Sequence, residues 1–154
     1  MKAKYLFIIF LILNFGGLAI GRYFMGDEVS GVWYSQLNKA PWTPPGWVFG
    51  AAWSLIMLCF SIYLSYLFSI RNSKVVVFVY SLALLLNVLW NYLFFHLHYV
   101  SYALINIVLL TIVIIYFFCT FGDEKLYRFK YLLLPYILWL FVAISLNTYV
   151  VLYN

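Results

Sequence analysis

Charged residues are scarce in this chain of 154 residues. They make up 8% of the sequence, whereas hydrophobic residues make up 68% and aromatic residues 23%. About a quarter of the residues in a typical soluble domain are charged, so the composition excludes an ordinary soluble fold. The four acidic residues form two pairs, Asp27-Glu28 and Asp123-Glu124. Because no carboxylate falls within a long apolar run, general acid–base catalysis and ion-coupled transport are both poorly supported.

Cysteine is nearly absent too, and Cys59 and Cys119 both lie within apolar runs. We expect free thiols among apolar side chains, because neither a disulfide framework nor a metal-ligand spacing is present. His96 and His98 are two residues apart, which does not place them on one helix face. We therefore expect a polar turn at the membrane interface here, and neither a metal nor a cofactor.

The sequence contains four long apolar runs without charge, at residues 5–21, 40–70, 75–122 and 131–154. A helix needs about 20 apolar residues to cross a bilayer, and the run 75–122 has room for two crossings, broken near the two histidines. We predict an all-α membrane protein in which residues 1–154 form a single domain with five spans. The spans lie near 4–25, 46–70, 75–96, 100–121 and 131–153. We interpret the first span as a retained helix, since its apolar run is long for a signal peptide.

Basic residues fall unevenly on the two sides that five spans define. The N-terminus and the loops after spans two and four carry Lys2, Lys4, Arg71, Lys74, Lys125, Arg128 and Lys130. The other side carries Arg22 and Lys39. Cytoplasmic loops are enriched in Lys and Arg, so we predict a cytoplasmic N-terminus, with the C-terminus on the outer side. The dispersed basic residues do not predict a nucleic-acid partner.

The segment from Trp33 to Trp53 separates the first two spans and concentrates tryptophan and proline. Pro44-Pro45 cannot lie inside a helix, because each ring removes a backbone donor and clashes with the preceding turn. We predict a stiff loop on the outer side that starts the second helix at about Pro45. Within it, Val29 to Leu37 is expected to form a short interfacial helix with Val32, Trp33 and Leu37 on one apolar face.

Three spans carry side chains at helical spacing that suit a binding cavity. The sets are Phe49, Trp53, Met57 and Phe60 in span two; Asn87, Trp90, Asn91 and Phe94 in span three; and Trp139, Ala143, Leu146 and Asn147 in span five. Amides in mid-membrane are costly unless they are paired, so these faces point into the bundle. The amides either line a cavity or only hold helices together. In span one, Gly17 and Gly21 serve either a dimer contact or close packing within the bundle.

These residues together resemble the TspO/MBR family of tryptophan-rich sensory proteins, which includes the mitochondrial translocator protein. The similarity covers essentially the whole chain. Its motif residues are Trp33, Tyr34, Leu37, Lys39, Trp42, Pro44, Pro45, Trp47, Phe49, Gly50, Trp53, Asn87, Trp90, Phe94, Phe95, Pro135, Tyr136, Trp139, Ala143, Leu146 and Asn147. The sequence departs from the family pattern at Ala40 and Ala51, where proline is usual. No basic residue follows Tyr149 or Tyr153, so the sterol-recognition pattern of mammalian relatives is missing.

The resemblance implies a receptor or sensor that binds porphyrins, such as protoporphyrin IX, and isoquinoline or benzodiazepine drugs. It also implies an aromatic cavity beneath the first loop, contact with membrane lipid, and a homodimer. A flat macrocycle stacks on indole and phenol rings, and amides fix its polar edge. The residues expected to contact ligand are Tyr34, Phe49, Trp53, Asn87, Trp90, Asn91, Phe94, Trp139, Ala143 and Leu146.

Two other functions stay open. One is light- and oxygen-dependent degradation of porphyrin, which has been proposed for bacterial relatives; Trp53 and Trp139 would then be the catalytic residues, as oxidisable indoles held against the excited ligand. The other is passive transport of a tetrapyrrole, because no ionisable residue lies within a span to couple active transport.

Overall fold

The computed structural model describes residues 3–121 and 126–154. Its α-helices are α1 (Ala3–Met25), α2 (Val32–Gln36), α3 (Gly46–Ile70), α4 (Lys74–Asn91), α5 (Val100–Thr120) and α6 (Leu134–Tyr153). A π-helical turn at Tyr92–His96 extends α4, and a 3-10 turn at Phe129–Leu133 leads into α6. Strands are absent from these two described ranges.

Within the described ranges, five helical segments are long and apolar enough to cross a membrane. They are Ala3–Met25, Gly46–Ile70, Lys74–His96, Val100–Thr120 and Phe129–Tyr153. Their limits agree with the predicted spans to within two residues. The prediction of an integral membrane protein with five helices, and with a long loop between the first two spans, is confirmed.

The ends of the spans follow from local chemistry. Pro45 precedes the first residue of α3, as predicted from the Pro-Pro step. The hydroxyl of Ser73 accepts a hydrogen bond from the Val76 amide at 3.3 Å and caps the N-terminus of α4. His98 separates the π-turn from α5 with a φ of 57°, in the left-handed region that ends a helix and that His tolerates better than most residues.

The spans form a closed bundle. Helix α1 packs on α3 and α4, α5 packs on α4 and α6, and α3 contacts α6. Gly17 and Gly21 both face α4: a Cβ added at these positions would lie 2.7 Å from a Leu84 methyl group and 2.7 Å from the Asn91 amide nitrogen, respectively. The two glycines therefore allow close approach of α1 and α4. Of the two roles expected for this pair, packing within the bundle is the one that the structure shows.

A buried polar cluster joins three spans on one side of the bundle. The Asn14 amide of α1 donates to the Ser61 hydroxyl of α3 at 2.9 Å, and the Tyr80 hydroxyl of α4 donates to the Asn14 carbonyl oxygen at 3.0 Å. All three side chains are buried. In lipid such hydrogen bonds hold helices together, because unpaired polar groups find no water there.

Two local predictions need correction. The helix predicted over Val29 to Leu37 is confined to Val32–Gln36, and Val32 is 70% exposed instead of sharing a face with Trp33 and Leu37. The charged stretch at 122–130 is typical of a solvated loop; residues 122–125 lie outside the described part, but Leu126 is 1% exposed and belongs to the core.

Candidate ligand site

Aromatic side chains from α3 and α6 meet between these two helices. The Phe49 and Trp139 rings lie edge to face with centroids 5.4 Å apart, and the Trp53 and Tyr136 rings do so at 5.8 Å. Trp53 and Trp139 are partly buried against the main core, whereas Tyr136 is fully buried. Two ring pairs thus join the helices that the sequence predicted to face each other.

Hydrogen bonds attach α4 to the same cluster. The Asn87 amide donates to the Tyr136 hydroxyl at 2.7 Å. The Trp90 indole donates to the Asn147 carbonyl oxygen at 3.1 Å, and the Asn147 amide donates to the Val100 backbone oxygen at 3.0 Å. The amides of Asn87 and Asn147 are therefore paired, and their partners come from other spans. Asn87 and Trp90, which are predicted to contact ligand, thus already have hydrogen-bond partners within the protein.

The four side chains of span three that were predicted to contact ligand do not all lie in the same cluster. Trp90 stacks on Phe94, with ring centroids 5.1 Å apart and planes 21° apart. Asn91 instead lies against Gly21 of α1, and its amide donates to the Asn87 backbone oxygen at 3.3 Å. The structure thus places Asn87, Trp90 and Phe94 in the connected cluster, whereas Asn91 lies at the contact between α1 and α4.

The remaining predicted residues lie on α2 and α6. Tyr34 packs on Phe95, with ring centroids 5.5 Å apart, and the Lys39 ammonium lies 4.1 Å from the centre of the Tyr34 ring. Burial raises the pKa of the Tyr34 phenol, so this group stays neutral at physiological pH. Ala143 packs against the main core, and Leu146 is half-buried on the same helix.

The tryptophan-rich loop is attached to α6 at two places. The Asn154 side chain accepts from the Asn38 backbone amide at 2.8 Å and donates to the Asn38 backbone oxygen at 3.2 Å. The Trp42 indole donates to the Ser145 hydroxyl at 3.2 Å and lies edge to face with Tyr149. Because α6 also carries Trp139 and Asn147, the loop is anchored to a wall of the candidate site.

Two residues outside the predicted set form hydrogen bonds to α4. Tyr136 links Trp53 to Asn87, and its place in the family motif was the signal for it. Asn106 of α5 donates to the Leu86 backbone oxygen at 2.8 Å, and its own carbonyl oxygen is buried without a hydrogen-bond partner in the described part of the chain. The only signal for Asn106 was an amide in an apolar span. Its free oxygen can accept a hydrogen bond from a donor beside α4.

Two surface grooves lie elsewhere. One, of about 510 Å³, is lined by residues from 72 to 81 at the start of α4. The other, of about 530 Å³, lies between α1 and α3 and includes Phe15 and Ser54. Neither groove is lined by a residue predicted to contact ligand.

Comparison with known proteins decides the family. The model of the TspO/MBR family matches residues 7–152. The chain belongs to the TspO/MBR family. The match extends across all five spans and the tryptophan-rich loop, so the resemblance inferred from the separate motifs is confirmed.

Three relatives from different organisms illustrate the similarity to this family. The chain is 34% identical over 136 residues to the tryptophan-rich protein TspO of Archaeoglobus fulgidus, covering 87% of each protein. It is 28% identical over 142 residues to the tryptophan-rich sensory protein of Cereibacter sphaeroides, covering 92% of this chain and 87% of the relative. It is also 30% identical over 106 residues to the translocator protein of Bos taurus, covering 64% of this chain and 60% of the relative.

Proposed function

We propose that this membrane protein is a receptor for flat aromatic ligands: porphyrins such as protoporphyrin IX, and drugs of the isoquinoline and benzodiazepine classes. The observation that carries the proposal is that three partly buried indoles from three spans, Trp53, Trp90 and Trp139, pack against one core. The amides of Asn87 and Asn147 form hydrogen bonds between spans in the same region. Indole faces stack on a planar ligand, and amides orient its polar edge.

Binding on this view replaces contacts within the protein by contacts to the ligand. The ligand enters by parting the ring pairs Phe49–Trp139 and Trp53–Tyr136, which join α3 to α6. Asn87 and Asn147 then exchange their present partners for the ligand's polar groups or keep them at its edge. The buried oxygen of Asn106 is an additional acceptor, suited to a ligand N–H group.

Filling the site tests the proposal. Protoporphyrin IX should quench tryptophan fluorescence saturably in the purified protein, and Ala143→Phe should weaken its binding by at least about tenfold, because the added ring occupies ligand space on α6. The matched control is Ala51→Phe, which adds the same ring at an exposed position of α3. Equal affinity of well-folded Ala143→Phe, Ala51→Phe and wild-type proteins would place the ligand elsewhere.

Porphyrin degradation under light is a second candidate function. Trp53 and Trp139 each contact another aromatic ring within the cluster, so a porphyrin bound there would lie against an oxidisable indole. We keep passive movement of ligand through the bundle as a third proposal. Each of these requires the same binding site, and photochemistry differs from simple binding because it needs light and oxygen.

Orientation and assembly are also proposals. Arg71, at the end of α3, and Lys130, before α6, both lie beside aromatic rings near the end of α5, Phe121 and Phe118. The two basic loops therefore share one end of the bundle, which supports a cytoplasmic N-terminus in a bacterial membrane. Since Gly17 and Gly21 pack on α4 within the chain, we propose that a homodimer uses a different surface.

A further inference from the structure

His98 occupies an unusual place between the π-turn and α5. Its imidazole stacks on the Trp33 indole with ring centroids 3.9 Å apart and planes 11° apart. Its Nε2 atom lies 3.7 Å from a carboxylate oxygen of Glu28. Glu28 and Trp33 both belong to the loop region that follows α1, so one histidine on the α4–α5 turn contacts that region at two points.

The backbone fixes this histidine independently of its side-chain contacts. The amide of Tyr99 donates to the Leu93 oxygen at 2.8 Å, and the amide of Val100 donates to the His98 oxygen at 3.0 Å. His98 is the one residue other than glycine with a positive φ in the described part of the chain. The turn therefore presents the imidazole to Trp33 at a defined place.

Glu28, on the loop side of this contact, is also held in place. The amide of Gly31 donates to the Glu28 backbone oxygen at 3.0 Å, and a Cβ at Gly31 would lie 3.1 Å from the same Glu28 carboxylate oxygen that faces His98. The absence of a side chain at Gly31 thus lets the carboxylate lie beside the turn. Arg22 donates to the Gly26 backbone oxygen and holds the start of the loop to α1.

Trp33 continues this contact inward to the candidate site. Its ring lies edge to face with Phe94 at 5.7 Å, Phe94 stacks on Trp90, and Trp90 donates to Asn147. The indole that His98 covers is thus two rings from the hydrogen bond between α4 and α6. Trp33 thus connects the loop to the side chains beside that bond.

We propose that His98 is a proton-operated latch that holds the tryptophan-rich loop closed at mildly acidic pH and loosens it at alkaline pH. Histidine ordinarily changes charge between about pH 5 and 8. The imidazolium attracts the face of the indole and the ionised carboxylate of Glu28, whereas neutral imidazole keeps only the stacking. Protonation of the imidazole therefore adds to the attraction that holds the loop closed.

Other charged groups at this end of the bundle do not reproduce the effect. Asp27 adjoins Glu28 and places a second carboxyl group on the same segment. Arg22 donates to the Gly26 backbone oxygen, and the Lys39 ammonium lies over the Tyr34 ring. The His96 ring stacks on Tyr92 with ring centroids 4.9 Å apart, within its own turn and not on the loop.

The chain supplies a matched control, since His96 and His98 are its two histidines. The first measurement is amide hydrogen exchange of residues 31–37 in the ligand-free protein in nanodiscs, at about pH 5.5 and about pH 8, corrected for intrinsic exchange rates. We expect protection to fall by about three- to tenfold at the higher pH, as an exposed ion pair and a cation–π contact together imply. His96→Asn should keep this change, whereas His98→Asn and Glu28→Gln should remove most of it.

Asparagine is the suitable replacement because it tolerates a positive φ, and Glu28→Gln tests the latch without altering the turn. Retention of the full pH effect in His98→Asn, or its loss in His96→Asn, would overturn the inference.

The effect of the latch on ligand dissociation rests on the proposed function and is measured separately. Dissociation of an uncharged isoquinoline carboxamide should be slower at about pH 5.5 than at about pH 8 in wild-type protein and in His96→Asn, and insensitive to pH in His98→Asn. If this probe does not bind at all while the loop protection behaves as described, the proposed function fails and the latch stands. If the probe binds but loop protection does not depend on pH, the latch fails and the receptor stands.

Discussion

The hydrogen bond between Asn87 and Tyr136 gives the sharpest test of the polar pairing inside the bundle. Tyr136→Phe removes the hydroxyl that accepts from the Asn87 amide at 2.7 Å, and leaves the ring contact with Trp53 in place. Both partners are buried, with 1% and 6% of Tyr136 and Asn87 exposed. The substitution therefore creates an unpaired amide in a region without water.

The size of the effect follows from the environment. A buried polar group left without its partner costs about 1–3 kcal/mol, while single hydrogen bonds between membrane helices average about 0.6 kcal/mol and reach about 1.7. We expect Tyr136→Phe to destabilise the protein by about 1–2 kcal/mol. Asn87→Leu removes the other partner, and the double variant should be less destabilised than the sum of the single changes, by about 0.6–1.7 kcal/mol.

Reversible unfolding in mixed micelles with increasing dodecyl sulfate, followed by circular dichroism, measures these differences. Tyr102→Phe is the matched control, because Tyr102 is 64% exposed and its ring contacts only its neighbour Tyr99 among the ring pairs described; it should leave stability unchanged within about 0.5 kcal/mol. Strict additivity of Asn87→Leu and Tyr136→Phe would show that the hydrogen bond contributes nothing, and would refute the reasoning that mid-membrane amides here depend on their partners.

The remaining predictions concern orientation and photochemistry. In a background without Cys59 and Cys119, single cysteines at Ser35 and Asn72 should react with an impermeant thiol reagent from opposite sides of intact cells, and labelling of both from the same side would reject the orientation. Trp53→Phe and Trp139→Phe should slow the light-driven loss of bound protoporphyrin IX far more than they weaken its binding if the indoles take part in photochemistry, because phenylalanine keeps much of the stacking surface but is harder to oxidise. Samples kept dark or free of oxygen should lose no porphyrin, and rates equal to those of free porphyrin in detergent, after correction for occupancy, would exclude an enzymatic role.

The spans were predictable because their signals are local. Charge-free runs of sufficient length, the Pro44-Pro45 step and the polar break near His96 each depend on residues adjacent in sequence. Helical spacing also grouped Asn87, Trp90 and Phe94 correctly, because they lie on or just beyond one regular helix. These features need no knowledge of how the spans pack.

The pairings between spans were not predictable, since periodicity gives a face but not its partner. Asn14, a lone amide in the first span, was overlooked although it anchors a hydrogen-bonded cluster with Ser61 and Tyr80. Asn91 was grouped with Trp90, yet it fills the space left by Gly21 on α1. The π-turn at Tyr92–His96 gave no sequence signal, although it decides where His98 meets Trp33.

The cluster of Asn14, Ser61 and Tyr80 has a consequence for the order in which the bundle assembles. Helices α1 and α3 enter the membrane before α4 exists, and the bond between Asn14 and Ser61 is available as soon as they do. Tyr80 then adds α4 to a pair that is already joined. Asn87, in the second half of α4, has no such early partner. Its hydrogen bond is to Tyr136 of α6, so its side chain lacks this partner until the last span is inserted. Slow release of the final helix during synthesis would expose this half of the protein, and not the half built around Asn14, to misassembly.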